Sequence, residues 1–570
     1  MSNNAREKAT EWLSEQYDEA TRNEVRRMME HAPELLEESF YKDLEFGTGG
    51  MRGIMGVGTN RVNKYTLGAA TQGLADYVKQ EFPDMEKSVA IAYDVRNNSD
   101  KFARIVADIL TGNGIRVYLF ESFRPTPELS FAVRFLQCNA GIVLTASHNP
   151  PEYNGYKVYW NDGAQVVPPH DVSIIEKVQQ VKPKDIHFQG DDSLLEIIGK
   201  EVDEAFIKAC VNHIGFTHAG KSDLKIVFTS LHGTAIAIMP EALKRAGFTD
   251  VHIVEEQAVP SGEFPTVKSP NPEEPEALKM ALELADEIQA DIVIGTDPDA
   301  DRLGIAVRDF YGNMVLLNGN QTNTVLTDYL LQQRQNDGMD GTEFIGSTIV
   351  TSDIFFDIAK FYNVDCKVGL TGFKWIADMI RKAEGKQSFI GGGEESFGYM
   401  VGDFVRDKDS VTSTLLACEI AAHAKANDSS FFEELVMIYT KTQHYLEDLV
   451  SIVRQGKDGA AEIKQMMSDF RQNPPETLDN SRIVKIEDFQ SSVSKDTITG
   501  IETPITEIPK SNVLIFYTED GTKVCARPSG TEPKIKFYFS VKSNLDEIQD
   551  YEESKSKLAE KIERLKNEFK

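Results

Sequence analysis

The sequence predicts an α/β protein made of three related rounds, closed by a separate α+β segment. Two observations carry this. Short apolar strands alternate with amphipathic helices three times over, and each round ends with a strand that feeds a polar loop. The alternation then stops, and a turn-rich segment with a charged helix at its end takes over.

Ala5 to His31 places Trp12, Leu13, Tyr17 and Val25 among many charges and predicts one or two amphipathic helices. A glycine-rich loop carrying Arg52, Phe46-Gly47-Thr48-Gly49-Gly50-Met51-Arg52-Gly53, follows. The first round runs through strand Val89 to Tyr93, helix Asp100 to Thr111, a stop at Gly112 and Gly114, strand Ile115 to Phe120, helix Glu128 to Phe135 and strand Gly141 to Leu144. In the second, strand Lys225 to Phe228, helix Met239 to Ala246, strand Val251 to Val254, helix Pro275 to Ile288 and strand Asp291 to Ile294 lead into an aspartate cluster. The third has strand Phe344 to Val350, helix Asp353 to Phe361, strand Asp365 to Val368, helix Phe373 to Ala383 and strand Ser388 to Ile390 before a triple glycine. Helical pieces near Phe431 to Tyr439 and Ala460 to Phe470, strands near Val513 to Tyr517 and Lys534 to Ser540, and a helix from about Leu545 form the last segment. Repeated rounds would bring their terminal loops to equivalent strand ends, where open α/β sheets place their chemistry.

Bulk properties limit the function. A chain of 570 residues is too long for one core, so about three or four domains are expected. A formal net charge of -29 argues against nucleic acid as a partner, since phosphate binding needs a cationic face. Screening over roughly 8 Å still lets a local cationic pocket hold an anionic substrate. No apolar run is long enough for a membrane span and the first residues lack the apolar core of a signal peptide, so the expectation is a cytoplasmic protein. Five widely spaced cysteines predict reduced core residues.

Four polar clusters carry the chemistry. Thr145-Ala146-Ser147-His148-Asn149-Pro150 follows a buried strand but lacks the glycines of a hydrolase nucleophile elbow. Asp297-Pro298-Asp299-Ala300-Asp301-Arg302 offers three carboxylates at alternate positions, which can converge on a hard cation; a solvated turn is the plain alternative. It is no EF-hand, because Arg302 and Arg308 stand where Gly and Glu belong. A haloacid dehalogenase pattern, with Asp297 as nucleophile, wants Thr or Val where this chain has Asp301. Glu394 and Ser396, behind the triple glycine, suit sugar hydroxyls, or alternatively form a helix N-cap with an acidic first turn. Arg527-Pro528-Ser529-Gly530-Thr531 combines a guanidinium, hydroxyls and backbone N–H groups around a flexible glycine, which suits a phosphate or a plain turn. Lys157 and Lys408 are the remaining cations of interest. A serine hydroxyl attacks phosphate poorly, but a phosphoserine is a good donor when a cation shields its oxygens.

These four motifs, in this order and spacing over nearly the whole chain, resemble the α-D-phosphohexomutase superfamily, and look most like its bacterial phosphoglucomutases. The resemblance implies three α/β domains (1–212, 213–322 and 323–440) and a C-terminal α+β domain (441–570), helices on an antiparallel sheet, all around a central cleft. It implies an intramolecular phosphotransferase, with phosphorylated Ser147 converting glucose 1-phosphate to glucose 6-phosphate through glucose 1,6-bisphosphate. By the same resemblance Ser147, Asp297, Asp299 and Asp301 hold Mg²⁺, and His148, Lys157 and Arg52 assist transfer. Arg302, Glu394, Ser396, Lys408, Arg527, Ser529, Gly530 and Thr531 bind substrate. Phosphopentomutase and phosphomannomutase are the alternatives within the superfamily; a noncatalytic sugar-phosphate sensor on the same fold and a Mg²⁺ phosphatase are the alternatives of other classes. A small-molecule sugar phosphate is the expected partner, with no nucleic acid, membrane or obligatory protein partner. Because the bisphosphate must reorient, grip on its distal phosphate should be detachable, as a mobile fourth domain would allow.

Overall fold

The computed structural model describes residues 3–47, 50–215, 220–454, 456–529 and 534–569. The chain divides into two compact units. The first comprises Met1–Asn318, Ile380–Lys382 and Ser396–Asp428; the second comprises Gly319–Met379, Ala383–Glu395 and Ser429–Lys570.

In the first unit, a six-stranded sheet is ordered Gly50–Ile54, Tyr153–Trp160, Ala140–Leu144, Ser88–Tyr93, Arg116–Phe120, Leu195–Ile198. The last four strands are parallel, as helical crossovers dictate, and the first two run antiparallel on one edge. Ala140–Leu144 is buried at every position, which is the pattern of a central strand covered on both faces. Apolar clusters lie on the two faces: one joins Leu67, Leu74 and Val106 to Ile142 and Leu144, the other Leu129, Ala132 and Phe120 to Val143. A five-stranded sheet follows, ordered Met314–Leu316, Leu303–Arg308, Ile292–Thr296, Lys225–Thr229, Asp250–Ile253. The predicted N-terminal segment forms two helices, Asn3–Glu11 and Glu19–His31, packed through Trp12, Tyr17 and Val25.

One buried carboxyl in this unit gives a stability prediction. Glu128, on helix Thr126–Phe135, is wholly buried beside Asp203, which Arg124 grips with two contacts of 2.8 and 2.9 Å. Burial, reinforced by Asp203, raises the Glu128 pKa well above its ordinary 4.5. A carboxyl raised in the fold favours folding fully below its unfolded pKa, and that contribution is lost as pH rises past it. Glu128→Gln cannot ionise and should therefore melt higher than wild type at pH 8, by about 2–4 °C, with the difference shrinking toward pH 4. Thermal melts across that range check it; a difference independent of pH would refute it.

The second unit contains the third round and the C-terminal segment. Strands Asp365–Gly369, Glu343–Thr348 and Ser388–Glu394 are parallel, with Glu343–Thr348 in the middle. The antiparallel C-terminal sheet runs His444–Val453, Lys534–Ser543, Lys523–Pro528, Leu514–Thr518, Ser481–Asp488, Val493–Asp496, Glu502–Pro504. Helix Tyr551–Glu568 packs Leu558, Ile562 and Leu565 onto its Phe537 and Phe539 face. The C-terminal segment packs against the third round. Ile349, Val350 and Leu370 from the third round share an apolar cluster with Phe489, Val513, Ile515 and Tyr538, and Lys523 pairs with Asp353 at 2.7 Å.

The cysteines are unpaired, as expected, but Cys366 is only partly buried. No helix among the described residues is long and apolar enough to cross a membrane.

Candidate active site

Two strand ends of the first unit meet. Ser147 lies just beyond Ala140–Leu144 and Asp297 just beyond Ile292–Thr296, and the Ser147 hydroxyl donates to Asp297 Oδ2 at 2.9 Å across 150 residues of sequence. Ser147 is 3% exposed and takes the left-handed backbone conformation, φ 51°. That conformation is unfavourable for a residue with a Cβ and points to a loop held from outside. His148 Nδ1 lies 3.1 Å from the same hydroxyl. Burial first, then the charges of Arg302 and Arg52, pull the His148 pKa down to about 2, so the imidazole is neutral at physiological pH.

The aspartate loop is wound tightly enough to converge its carboxylates. Ala300 is left-handed at φ 55°, and the N–H groups of Asp301 and Arg302 donate to Asp297 Oδ1 at 3.1 and 3.0 Å. Thr126 donates to Asp299 Oδ2 at 2.9 Å, and Ser410 donates to the Ala300 carbonyl at 2.6 Å. A neighbouring loop presses from behind: Thr234 N–H donates to the Pro298 carbonyl at 2.8 Å, and a Cβ on Gly233 would stand 2.5 Å from Pro298 Cα. Only glycine fits there.

Local charge decides the state of each carboxylate. Burial and the charges of Asp299 and Asp301 push Asp297 well above its ordinary range. Asp299 is pushed up by burial and by Asp301, yet ends lowered because the charge and hydrogen bond of Lys157, together with a hydrogen bond to Asp297, outweigh both. Asp301, likewise buried, is lowered by Lys157 and Lys408. Lys157 Nζ lies 2.7 Å from Asp299 and 3.1 Å from Asp301, and Lys408 Nζ is 3.2 Å from Asp301.

These residues fit a hard divalent cation. Asp297, Asp299 and Asp301 each offer an oxygen within 4.8 Å of the others, and Asp299 Oδ1 and Asp301 Oδ1 are buried with no hydrogen-bond partner among the described residues. An all-oxygen carboxylate set is the donor chemistry of Mg²⁺, Mn²⁺ or Ca²⁺.

The other sequence-derived candidates are placed as follows. Arg52, on strand Gly50–Ile54, donates to the Asn149 side chain at 2.8 Å, beside the serine loop. Arg302 pairs with Glu273. Glu394 ends strand Ser388–Glu394 in the second unit and starts no helix, so the N-cap alternative fails; Ser396 falls in the first unit. The glycines ahead of Glu394 continue the strand instead of breaking it. Arg527 is the penultimate residue of strand Lys523–Pro528, with its guanidinium 3.3 Å from the Tyr538 hydroxyl, and Ser529 N–H donates to Lys534 O at 2.8 Å. Gly530 and Thr531 lie outside the described residues. Sequence reasoning missed Thr126, Ser410 and Arg96. The signal for Arg96 was present: Asp94-Val95-Arg96 directly follows strand Ser88–Tyr93, the same strand-end position that singled out Ser147.

Known proteins share this organisation. The models for phosphoglucomutase/phosphomannomutase alpha/beta/alpha domains I, II and III match residues 43–185, 204–312 and 318–439. A phosphoglucomutase of Staphylococcus aureus (strain MRSA252) is 40% identical over 513 residues, covering 89% of this chain and 91% of the relative. One from Staphylococcus epidermidis is 39% identical over 510 residues, covering 89% and 92%. Among solved structures, a phosphoglucomutase/phosphomannomutase family protein from Burkholderia thailandensis superposes with a TM-score of 0.65 at 19% identity, covering 89% of this chain and 95% of that one. Parafusin from Paramecium gives 0.66 at 17%, covering 92% and 96%. At these identities the structures speak for the fold. The family models and the curated relatives go further, and the chain belongs to the phosphoglucomutase/phosphomannomutase family of the α-D-phosphohexomutase superfamily.

Proposed function

We propose that this chain is a phosphoglucomutase that interconverts glucose 1-phosphate and glucose 6-phosphate, with Ser147 as the phosphoryl carrier. The observation that supports it best is the 2.9 Å contact between Ser147 and Asp297, beside two orphaned carboxylate oxygens. The curated relatives named phosphoglucomutase support the choice of sugar.

In this reading phosphorylated Ser147 gives its phosphoryl group to the 6-hydroxyl of glucose 1-phosphate: the P–Oγ bond breaks, a P–O6 bond forms, the hydroxyl proton leaves to a base and Oγ takes up a proton. The resulting glucose 1,6-bisphosphate reorients and returns its 1-phosphoryl to Ser147: the P–O1 bond breaks, a P–Oγ bond forms, Oγ gives up its proton and O1 takes one, releasing glucose 6-phosphate. His148, neutral and 3.1 Å from Oγ, is suited to accept a proton. Burial works against the Lys157 ammonium, but Asp299 and Asp301 raise its pKa, so it stays charged and suited to steadying phosphoryl oxygens. Arg52 and Arg302 add positive charge on the approach to Ser147. Asp297, Asp299 and Asp301 would hold Mg²⁺, which when bound would offset the charge of the transferring phosphoryl group. Glu394 and Ser396 are assigned to the sugar hydroxyls, Lys408 to the substrate, and Arg527 with Ser529, Gly530 and Thr531 to the phosphate that is not reacting. The four domains are proposed to have the bounds 1–212, 213–322, 323–440 and 441–570.

A side-by-side assay of glucose 1-phosphate, mannose 1-phosphate and ribose 1-phosphate with Mg²⁺ and glucose 1,6-bisphosphate tests the substrate. The expected kcat/KM for glucose 1-phosphate exceeds the others by about tenfold or more. Equal or greater specificity for ribose 1-phosphate would make it a phosphopentomutase. Peptide mass spectrometry of the enzyme after turnover should place the phosphoryl group on Ser147; a phosphoryl group on Asp297 would support a phosphatase.

A further inference from the structure

We propose that Arg96 is a positioning residue that fixes the geometry of phosphoryl transfer by caging the serine loop from beneath. The inference rests on the reading of Ser147 as phosphoryl carrier. The Arg96 side chain is fully buried. Its two terminal nitrogens spread over four backbone carbonyls of one loop: Nη2 donates to Ser147 O at 2.6 Å and to Asn149 O, and Nη1 donates to Pro150 O at 2.8 Å and Tyr153 O at 3.1 Å. Four carbonyls facing one centre would repel one another without a cation among them. A guanidinium supplies that charge with donors in a rigid planar fork, whereas a lysine ammonium is a compact point charge with three donors and cannot span the same set.

The guanidinium is itself held on two sides. Its Nε lies 3.2 Å from Asp94 Oδ2, in a pair with no solvent exposure, while Asp94 Oδ1 accepts from the Arg96 N–H at 2.9 Å and the Ser99 hydroxyl at 2.8 Å. Phe264 lies under the guanidinium plane, 5.1 Å from its ring centre. Phe264 belongs to a loop that is also tied to the aspartate side. A Cβ on Gly262 would stand 2.5 Å from Asn97 N, so this loop packs directly on the Arg96 turn. His232 bonds Val259 O and Thr266 Oγ1, both at 2.8 Å, and the residues after it, Gly233 and Thr234, press on Pro298. Arg96 thus stands between the backbone carrying Ser147 and the loop that backs Asp297. Ser147 is held in its left-handed conformation at the point where Arg96 grips its carbonyl. In these contacts Arg96 touches neither the Ser147 hydroxyl nor the carboxylates of Asp297, Asp299 and Asp301; what it sets is where the hydroxyl points.

The test compares Arg96→Lys and Asp94→Asn with wild type and Ser147→Ala in the full chain. Asp94→Asn keeps an acceptor for Ser99 but removes the charge that seats the guanidinium. Both variants are expected to lose about 100-fold in kcat, as for a misplacement of about 1 Å. KM for glucose 1-phosphate and the Kd for Mn²⁺, used as the metal probe, should each stay within about threefold of wild type. A role confined to folding would instead lower the amount of active enzyme and the melting temperature, leaving kcat per Mn²⁺-binding site unchanged. The proposal is overturned if kcat per site stays within about threefold of wild type in both variants, or if Mn²⁺ affinity falls in step with kcat. Should Arg96→Lys fail to fold, Asp94→Asn decides alone by the same criteria. If Ser147→Ala retains activity, the phosphoryl-carrier reading fails; if it is inactive while both variants are fully active, only the role of Arg96 fails.

Discussion

Ser147→Ala is expected to lower mutase turnover by about 10⁴-fold or more, which in most assays is complete loss. In the proposed mechanism, removing Oγ removes the atom that carries the phosphoryl group, and the nearest alternative nucleophile, Asp297, is committed through its Oδ1 to two backbone N–H groups. Binding should survive. Arg96 reaches the loop through backbone carbonyls, so the alanine variant keeps the contacts that shape it, and among the described residues only the side chains of Asp297 and His148 are bonded to Oγ. Affinity for glucose 1,6-bisphosphate, read by calorimetry, should stay within about threefold of the dephosphorylated wild type. Turnover within tenfold of wild type, or a phosphoryl group still acquired by the variant protein, would remove the serine from the mechanism.

How much of this was legible in the sequence depended on how local the cause was. Strands such as Ala140–Leu144 and Ile292–Thr296 announce themselves because a strand buried on both faces must be apolar at every position. Helix Ser410–Ala426 was missed for the related reason: it is buried nearly all round, so it shows no apolar stripe of period 3.6. Strand Tyr153–Trp160, which carries Lys157, has Asn154 and Gly155 in its first half, and its edge partner Gly50–Ile54 lies about a hundred residues earlier, with Arg52 opposite Gly155. Register of that kind leaves no trace in a local window.

Site residues divide in the same way. The aspartates were legible because three carboxylates in five residues are unusual after a buried strand. Thr126 and Ser410 were not, because they act on oxygens 173 and 110 residues away; Arg96 stood at a legible strand end, but the carbonyl it grips lies 51 residues on. Two of the bonds end on backbone carbonyls, which every residue type possesses. The C-terminal segment was legible as a separate α+β layer, but its packing against the third round was not. The apolar positions that join them, such as Val350 and Ile515, read from sequence simply as strand interior.

Asp297→Asn should separate stability from function. Asparagine keeps an oxygen for the N–H groups of Asp301 and Arg302, so the loop should hold its shape, but it sets an amide in place of the oxygen that faces Ser147. Loss of that charged oxygen from a three-carboxylate set is expected to weaken Mg²⁺ or Mn²⁺ binding by about 100-fold and to lower kcat by at least as much. In metal-free protein the same change should stabilise the fold. Asp297 is raised in the folded state by burial and by its two neighbours, so its ionised form opposes folding once the pH exceeds the unfolded aspartate range near 3.8, and the opposition grows as pH rises. Asparagine cannot ionise. In EDTA the variant should therefore melt above wild type at pH 8, with the difference vanishing toward pH 4, while saturating Mg²⁺ raises the melting temperature of wild type more than that of the variant. Unchanged metal affinity would take Asp297 out of the cation site. A metal-free variant that melts no higher than wild type at pH 8 would show that Lys157 and Lys408 already neutralise the cluster, and that the divalent ion is not needed to relieve its charge.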